Sequence, residues 1–337
     1  MPAAEILDTL SRRSLEADES FAAFTELVTG GLSEIEIAAI LGALKSRGES
    51  PAEIAGAARA LRAAAVAFPK PDYPVADTCG TGGDGAGTVN ISTAAAFVAA
   101  EAGVRVAKHG NRAASSRCGS ADLLEAAGVR LEAPPEVARR CLDETGLCFL
   151  FAPAYHPGVR RATPVRRALK TRTVFNLLGP LANPAHPEYQ VMGVYDARLV
   201  RPIAETLRSL GCRSALVVNG GGLDEIALHG PTRVARLADG AVTELEIVPE
   251  DGGLERRPIA DLAGGDPEAA VPWLRRLLAG RGPAAHAAAV ALNAGAMLWV
   301  AGIAGSFREG VAAAGDILAG GAAAHRLAAL VECSRGA

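Results

Sequence analysis

Along the first 67 residues apolar positions recur at helical spacing and no stretch alternates as a strand would. Two helix starts carry capping-box spacing, Ser33 to Glu36 and Ser50 to Glu53, the second with Pro51 at the first helical position. The alanine- and leucine-rich run from Glu53 to Phe68 has both the propensity and the period of a helix. Pro69, Pro71 and Pro74 then fall within six residues and mark a linker, so a small helical domain is expected to end near Phe68.

Beyond the linker the pattern changes. Strands are predicted at VADTC, VRVAKH, LCFLFA, YQVMGV and SALVVNG, and helices at STAAAFVAAEAG, SADLLEAAG, PEVARRCLDETG and RLVRPIAETLRSLG. Strands separated by helices imply a mostly parallel sheet with helices covering it. Residues 231–249 read as short antiparallel strands, and the remainder is helix-rich. The fold class expected is therefore α/β, with a small all-helical domain hinged to a larger domain around a mostly parallel central sheet.

Composition narrows the function classes. The chain has 337 residues, half of them hydrophobic, only 4% aromatic, and a net charge of −3. This argues against a stacking surface for single-stranded nucleic acid and against global attraction to nucleic acid or to an anionic membrane. The six cysteines include no C-x-x-C pair, which favours reduced, mostly buried thiols in a cytoplasmic protein over disulfides or zinc. Residues 282–307 carry no formal charge, but alanine, glycine, His286 and Asn293 make a buried helix a better reading than a membrane span.

Four stretches carry candidate chemistry. Gly80–Gly85 satisfies G-x-G-x-x-G, the dinucleotide-loop pattern. However, Val89-Asn90-Ile91 intervenes before a helix expected to be capped by Ser92 or Thr93, and the next strand ends in Lys108-His109 where a ribose-binding carboxylate would stand. A P-loop fits no better, because Thr88 occupies the lysine position after Gly82–Gly87. What remains is a glycine loop before a helix N-terminus, suited to phosphate or pyrophosphate, or else a turn with no ligand. The second stretch, Lys108 to Asp122, offers lysine, arginine and serines at a strand end. The third is Asp224-Glu225 after Asn219 and three glycines, hard oxygen donors that suit magnesium if the backbone turns there. The fourth, residues 145–187, has no acidic residue but holds Arg160, Arg161, Arg166, Arg167, Lys170 and Arg172. It reads as a nucleic-acid patch or as a site for a small carboxylate.

Taken together, these motifs resemble the anthranilate phosphoribosyltransferase family over essentially the whole chain. GTGGDG stands at Gly80–Gly85 and its N-[IV]-S-T continuation at Asn90–Thr93; KHGNR-x-x-SS-x-x-GSAD stands at Lys108–Asp122. His156-Pro157, Pro164–Arg166, Arg172–Ala185 and Gly222–Glu225 match the remaining motifs in order. The resemblance implies a helical domain of residues 1–68, joined by a segment returning at about 157–185, and a phosphoribosyl-pyrophosphate-binding domain of residues 69–337. It also implies a homodimer contacting through the helical domain.

The resemblance assigns phosphoribosyl pyrophosphate to Gly80, Gly83, Asp84, Thr88, Asn90, Ile91, Ser92, Thr93, Lys108, His109, Gly110, Asn111, Arg112, Ala113, Ala114, Ser115, Ser116 and Ser120. Anthranilate falls to Gly80, Asn111, His156 and Arg166, and Mg2+ to Ser92, Asp224 and Glu225. Lys108, Asp84 and Arg166 are the residues to which it gives catalytic weight, with small-molecule substrates as the partners and neither nucleic acid nor membrane. Two positions depart from the commonest family pattern: Lys170 replaces a glycine, and Gly221 stands where many members have an acidic residue. Neither falls on an assigned ligand.

Overall fold

The computed structural model describes residues 1–113 and 117–336. The chain begins with four helices, α1 (Ala3–Leu10), α2 (Ala17–Thr29), α3 (Glu34–Arg47) and α4 (Pro51–Ala63). Both expected capping boxes form. The Glu36 and Glu53 carboxylates accept from the Ser33 and Ser50 amides at 2.7 and 2.8 Å, and each serine caps its glutamate's own amide. Glu53 does more than cap: it is buried, accepts from the Leu15 amide at 2.9 Å, and pairs with Arg47. One side chain thus ties α4 to the end of α3 and to the α1–α2 turn. Ile37, Ile40, Leu41 and Leu44 form the buried stripe of α3, each contributing about 1.5–3 kcal/mol relative to exposure.

After the linker come β1 (Ala76–Gly80), α5 (Ile91–Glu101), β2 (Val106–Gly110), α6 (Ser120–Ala127), α7 (Pro135–Thr145) and β3 (Leu147–Phe151). The chain continues through α8 (Ala152–Tyr155), α9 (Thr163–Leu169), α10 (Phe175–Leu181), β4 (Tyr189–Gly193), α11 (Val200–Ser209) and β5 (Ser214–Asn219). An antiparallel pair, β6 (Thr232–Ala238) and β7 (Ala241–Ile247), precedes α12 (Pro267–Leu278), α13 (Ala284–Val300), α14 (Phe307–Gly320) and α15 (Ala324–Ser334). The strands form one seven-stranded sheet in the order β3-β2-β1-β4-β5-β6-β7, parallel from β3 to β5. From β1 the chain steps outward to β2 and β3, then returns to β1's other side with β4. Ligands of open α/β sheets collect at the strand C-termini at such a reversal.

Side chains of the strands alternate between two cores. Val191, Leu216, Val218 and Val234 face the core built with α5 and α13, whereas Met192, Ala215, Val217, Ala235 and Leu237 face α11 and the N-terminal helices. Residues of α9 and α10, among them Val165, Phe175 and Leu178, share this second core with α1–α4, although α4 ends at Ala63 and α9 begins only at Thr163. Helix α4 ends at Ala63, and Phe68 already packs in the first core. Helix α13 is the uncharged segment; its buried Asn293 exchanges hydrogen bonds with the backbone of Ile226. Among the described residues no helix is long and apolar enough to cross a membrane.

Both departures from the family pattern fall on left-handed backbone. Gly221 adopts φ +63°, which a glycine accepts without strain. Lys170 ends α9 at φ 47°, a left-handed conformation that costs a non-glycine residue about 1–2 kcal/mol. Glycine would relieve that strain while adding roughly 0.5–1 kcal/mol of unfolded-state entropy. Lys170→Gly is therefore expected to raise stability by up to ~1 kcal/mol. Thermal unfolding checks this, and a lowered midpoint would contradict it.

Candidate functional site

The C-terminal ends of β1 and β4 lie side by side, Gly80 opposite Gly193, and the loop carrying Asp224 crosses directly over both. A methyl group on Gly80 would strike the Asp224 carboxylate, and one on Gly193 would overlap its backbone. Glycine at these two strand ends is what lets an acidic loop descend into the reversal of the sheet. Asn219, at the end of β5, fixes the start of that loop: it donates to the Val194 carbonyl at 2.7 Å and accepts from the Gly222 amide at 3.2 Å.

The glycine loop leaves β1 at this point. Gly82, Gly83, Gly85 and Gly87 all have positive φ, so the backbone turns repeatedly. Its anchors are few: Thr81 donates to Gly193 O at 3.0 Å, Gly82 to Asp224 Oδ2 at 2.6 Å, and Ala86 to Asp84 Oδ1 at 3.1 Å. At the far end Thr88 pairs with Ala263, and Gly264 donates to Gly87 O at 2.8 Å. The amides of Gly83, Asp84 and Gly85 donate to no acceptor among the described residues. Clustered amides of this kind form an anion cradle.

Helix α5 starts at Ile91, with Asn90 as N-cap in place of the expected Ser92 or Thr93. The Asn90 side chain donates to Cys118 O at 2.9 Å, tying the helix start to the loop after β2. Ile91 and Thr93 are buried and line the cleft. The Ser92 amide donates to Glu225 Oε1 at 3.1 Å. Lys108, buried at the end of β2, reaches under the helix start; its Nζ stands 2.5 Å from Thr78 O and 3.4 Å from Ser92 Oγ. Beside it lies Asp77, held by Asn183 at 2.9 Å, whose carboxyl is pushed up to about 6 mainly by burial.

Burial raises the pKa of both Asp224 and Glu225. Asp84 adds repulsion to Asp224, and Asp224 to Glu225, while Lys108 acts on Glu225 in the opposite direction. Each carboxylate gives one oxygen to a backbone amide, and together with the Ser92 hydroxyl they form a hard-oxygen donor set that suits a divalent cation. Among the described residues no three His, Cys, Asp or Glu side chains enclose a metal by themselves. A cation at this pair would need further oxygens from water or a ligand, the habit of magnesium.

The loop after β2 is organised by Asp122, which accepts from the Ala113 and Gly119 amides at 2.8 and 2.9 Å. Arg112 is committed to Glu125 and Asp122 of α6. Asn111 turns its side-chain oxygen to the Arg112 amide and its carbonyl to Ala121. Ser120 Oγ lies 3.4 Å from Asn111 O, and Gly110 leaves Ser120 and Phe149 the room to approach. Ala114, Ser115 and Ser116 lie outside the described residues.

The opposite wall is the arginine-rich segment. It closes a cleft of about 490 Å³ whose lining runs from Gly80–Asp84 and Lys108 to His156, Arg160 and Arg166. Arg166 is half-buried over the Phe175 ring at 5.3 Å, has no acidic partner among the described residues, and is lowered in pKa by burial. His109 and His156 meet edge to face at 5.1 Å. Burial holds both rings neutral, lowering them to about 3 and about 4. His109 Nδ1 contacts Gly179 O at 3.0 Å, while the Nε2 atoms of both rings are buried without a partner among the described residues. Arg172, which the sequence marks as the start of a motif and as a member of the basic run, donates to Gly83 O and stacks on Tyr195 at 4.1 Å. Neither signal points to its target, a carbonyl 89 residues away.

Two family models and several named proteins match the chain. Residues 72–324 match the family described as "Glycosyl transferase family, a/b domain" and residues 5–65 "Glycosyl transferase family, helical bundle domain". The anthranilate phosphoribosyltransferase of Sorangium cellulosum is 62% identical over 95% of this chain and 92% of its own length. That of Aeromonas salmonicida is 52% identical over 97% and 98%. The crystal structure of anthranilate phosphoribosyltransferase from Thermus thermophilus superposes with a TM-score of 0.94 at 47% identity, over the whole of both chains. The Saccharomyces cerevisiae enzyme, solved in complex with PRPP and Mg, shares the fold at a TM-score of 0.88 and 24% identity, over 99% of this chain and 98% of its own.

Proposed function

The chain belongs to the anthranilate phosphoribosyltransferase family, and from that premise we propose how its residues divide the work of the family's reaction. The enzyme transfers the 5-phosphoribosyl group of phosphoribosyl pyrophosphate to the amine of anthranilate, giving N-(5-phosphoribosyl)anthranilate and pyrophosphate. This is the second step from chorismate to tryptophan. The observation that carries the assignment of residues is one cleft with two chemically unlike walls. One wall has unpaired loop amides, a buried lysine and an acid pair; the other has an arginine without an acidic partner among the described residues.

The leaving pyrophosphate belongs at the first wall. As the bond to the ribose anomeric carbon breaks, negative charge grows on the pyrophosphate oxygens, and donors fixed in advance stabilise it without reorganising. The amides of Gly83, Asp84 and Gly85, the start of α5 and Lys108 supply those donors. Asp84 shapes the loop through its bond to the Ala86 amide. Ser92, Asp224 and Glu225 would hold Mg2+, which when bound adds positive charge against the pyrophosphate oxygens.

Anthranilate belongs at the second wall. An aniline nitrogen is already a nucleophile, so the protein's task there is orientation. Arg166 grips the carboxylate with a planar fork of donors. The neutral His156 ring and Asn111 flank the remaining polar edge, with Gly80 at the β1 strand end completing the set. We take the boundary between the helical and α/β domains to lie near Phe68, with residues 157–185 returning to the helical side and a hinge between them. Support for a homodimer through the helical domain comes from Ile35 of α3, 81% exposed. The six unbridged cysteines favour the cytoplasm.

Loss of anthranilate fluorescence on adding phosphoribosyl pyrophosphate and Mg2+ tests the assignment, with salt-dependent binding to DNA measured alongside. Turnover without DNA affinity is expected; DNA binding without turnover would overturn it. Light scattering on the same preparation is expected to give twice the chain mass, and a monomer would remove the dimer.

A further inference from the structure

The glycine loop has an unsolved problem of order. Each ordered backbone residue costs about 1–2 kcal/mol in conformational entropy, and glycine loses the most. Residues 82–87 contain four glycines at positive φ, with no side chains to hold them in that shape. The anchors described above fix the loop at its two ends, through Thr81 and Gly82 on one side and Gly87 and Thr88 on the other, while the Ala86 amide turns inward to Asp84 Oδ1. Between them, among the described residues, the Gly83 carbonyl has one partner, the guanidinium of Arg172.

That contact has a direction. In a trans peptide the carbonyl and the following N–H point opposite ways. Drawing the Gly83 carbonyl toward Arg172 turns the Asp84 N–H away from it, and this N–H is one of the amides without an acceptor. Arg172 is itself held. Its guanidinium stacks on Tyr195 at 4.1 Å, and the Tyr195 amide donates to Thr81 Oγ1 at 3.1 Å, at the root of the same loop. The arginine sits between α9, which carries Arg166, and α10. A single planar cation thereby joins the arginine-rich wall to the mid-point of the anion cradle. A lysine could donate to the carbonyl but could not stack and donate with one rigid fork.

We propose that Arg172 is a positioning residue for the pyrophosphate half of the substrate. By fixing the 83–84 peptide it aims the loop amides at the leaving group, and Tyr195 is the platform that keeps it in place. This rests on the reading of the cleft given above. Arg172 is not among the residues that line the cleft, which include Arg166.

The experiment uses the full-length protein as wild type and as Arg172→Ala, Arg172→Lys, Tyr195→Phe and Tyr195→Leu. Steady-state kinetics are measured for each substrate. Calorimetric titration with inorganic pyrophosphate in MgCl2 supplies a readout independent of turnover. Arg172→Ala is expected to raise the KM for phosphoribosyl pyrophosphate and the pyrophosphate Kd by about tenfold, with the anthranilate KM changed less than about twofold. Arg172→Lys should fall short of rescue. Tyr195→Phe should behave as wild type because the ring remains, and Tyr195→Leu should follow Arg172→Ala. Unchanged pyrophosphate affinity in Arg172→Ala, or a loss shared equally by anthranilate, would overturn the proposal. If wild type binds pyrophosphate but transfers nothing to anthranilate, the functional reading fails, while the titration still decides the role of Arg172.

Discussion

Replacing Arg166 by alanine is expected to raise the KM for anthranilate about a hundredfold while leaving that for phosphoribosyl pyrophosphate within about twofold. A bidentate arginine–carboxylate contact is charge-assisted and geometrically specific, and its loss costs about 2–4 kcal/mol, roughly thirty- to several-hundred-fold in affinity. Two features put Arg166 within that range. Burial already disfavours its charge, so a carboxylate arriving there meets a poorly solvated cation. Nothing acidic among the described residues competes for it, in contrast to Arg112, which is held by Glu125 and Asp122. Arg166→Lys keeps the charge but loses the fork and the packing over Phe175, and should recover only part of the loss. An unchanged anthranilate KM in the alanine variant would remove Arg166 from the site.

The contrast between Arg166 and Arg112 shows how far the sequence could be read. Both belong to recognisable motifs, and both were assigned to substrates by resemblance. Whether an arginine is available depends on neighbours that spacing does not reveal, here an acidic pair in α6. Element types were legible because apolar alternation and helical period are local properties. The capping boxes at Ser33 and Ser50 formed as spelled, since their partners lie three residues apart. Long-range contacts were not legible. Glu53 bonding to Leu15, the Asp224 loop descending over Gly193, and Arg172 reaching Gly83 each depend on how distant elements pack in the finished fold. The cap of α5 was misplaced because Asn90 caps without a side-chain bond to its own helix, its carboxamide being used across the site on Cys118.

Joint replacement of Asp224 by asparagine and Glu225 by glutamine is expected to lower kcat about a thousandfold at every magnesium concentration, while stabilising the metal-free fold. The first half follows from removing the charge that would hold the metal against the leaving group, since loss of one preorganised electrostatic element costs about 10²–10³ in kcat and here two are lost together. The second half follows from the sign of the pKa shifts. Both carboxyls are raised, chiefly by burial, and then by repulsion, from Asp84 on Asp224 and from Asp224 on Glu225; Lys108 offsets this only in part. A carboxyl raised on folding binds more protons folded than unfolded. Stability contributed by its neutral form is therefore present at low pH and is lost as pH rises from about 4 toward the raised folded values. Asparagine and glutamine keep shape and the oxygens that accept from Gly82 and Ser92, but carry no charge to lose. In thermal unfolding without magnesium, the variant should gain on wild type as pH rises through that window. Magnesium should close the gap by stabilising wild type alone, by about 2.7 kcal/mol at a hundred times its Kd. If raising magnesium restored full kcat to the variant, or stabilised it as much as wild type, the two carboxylates would not be the metal's ligands.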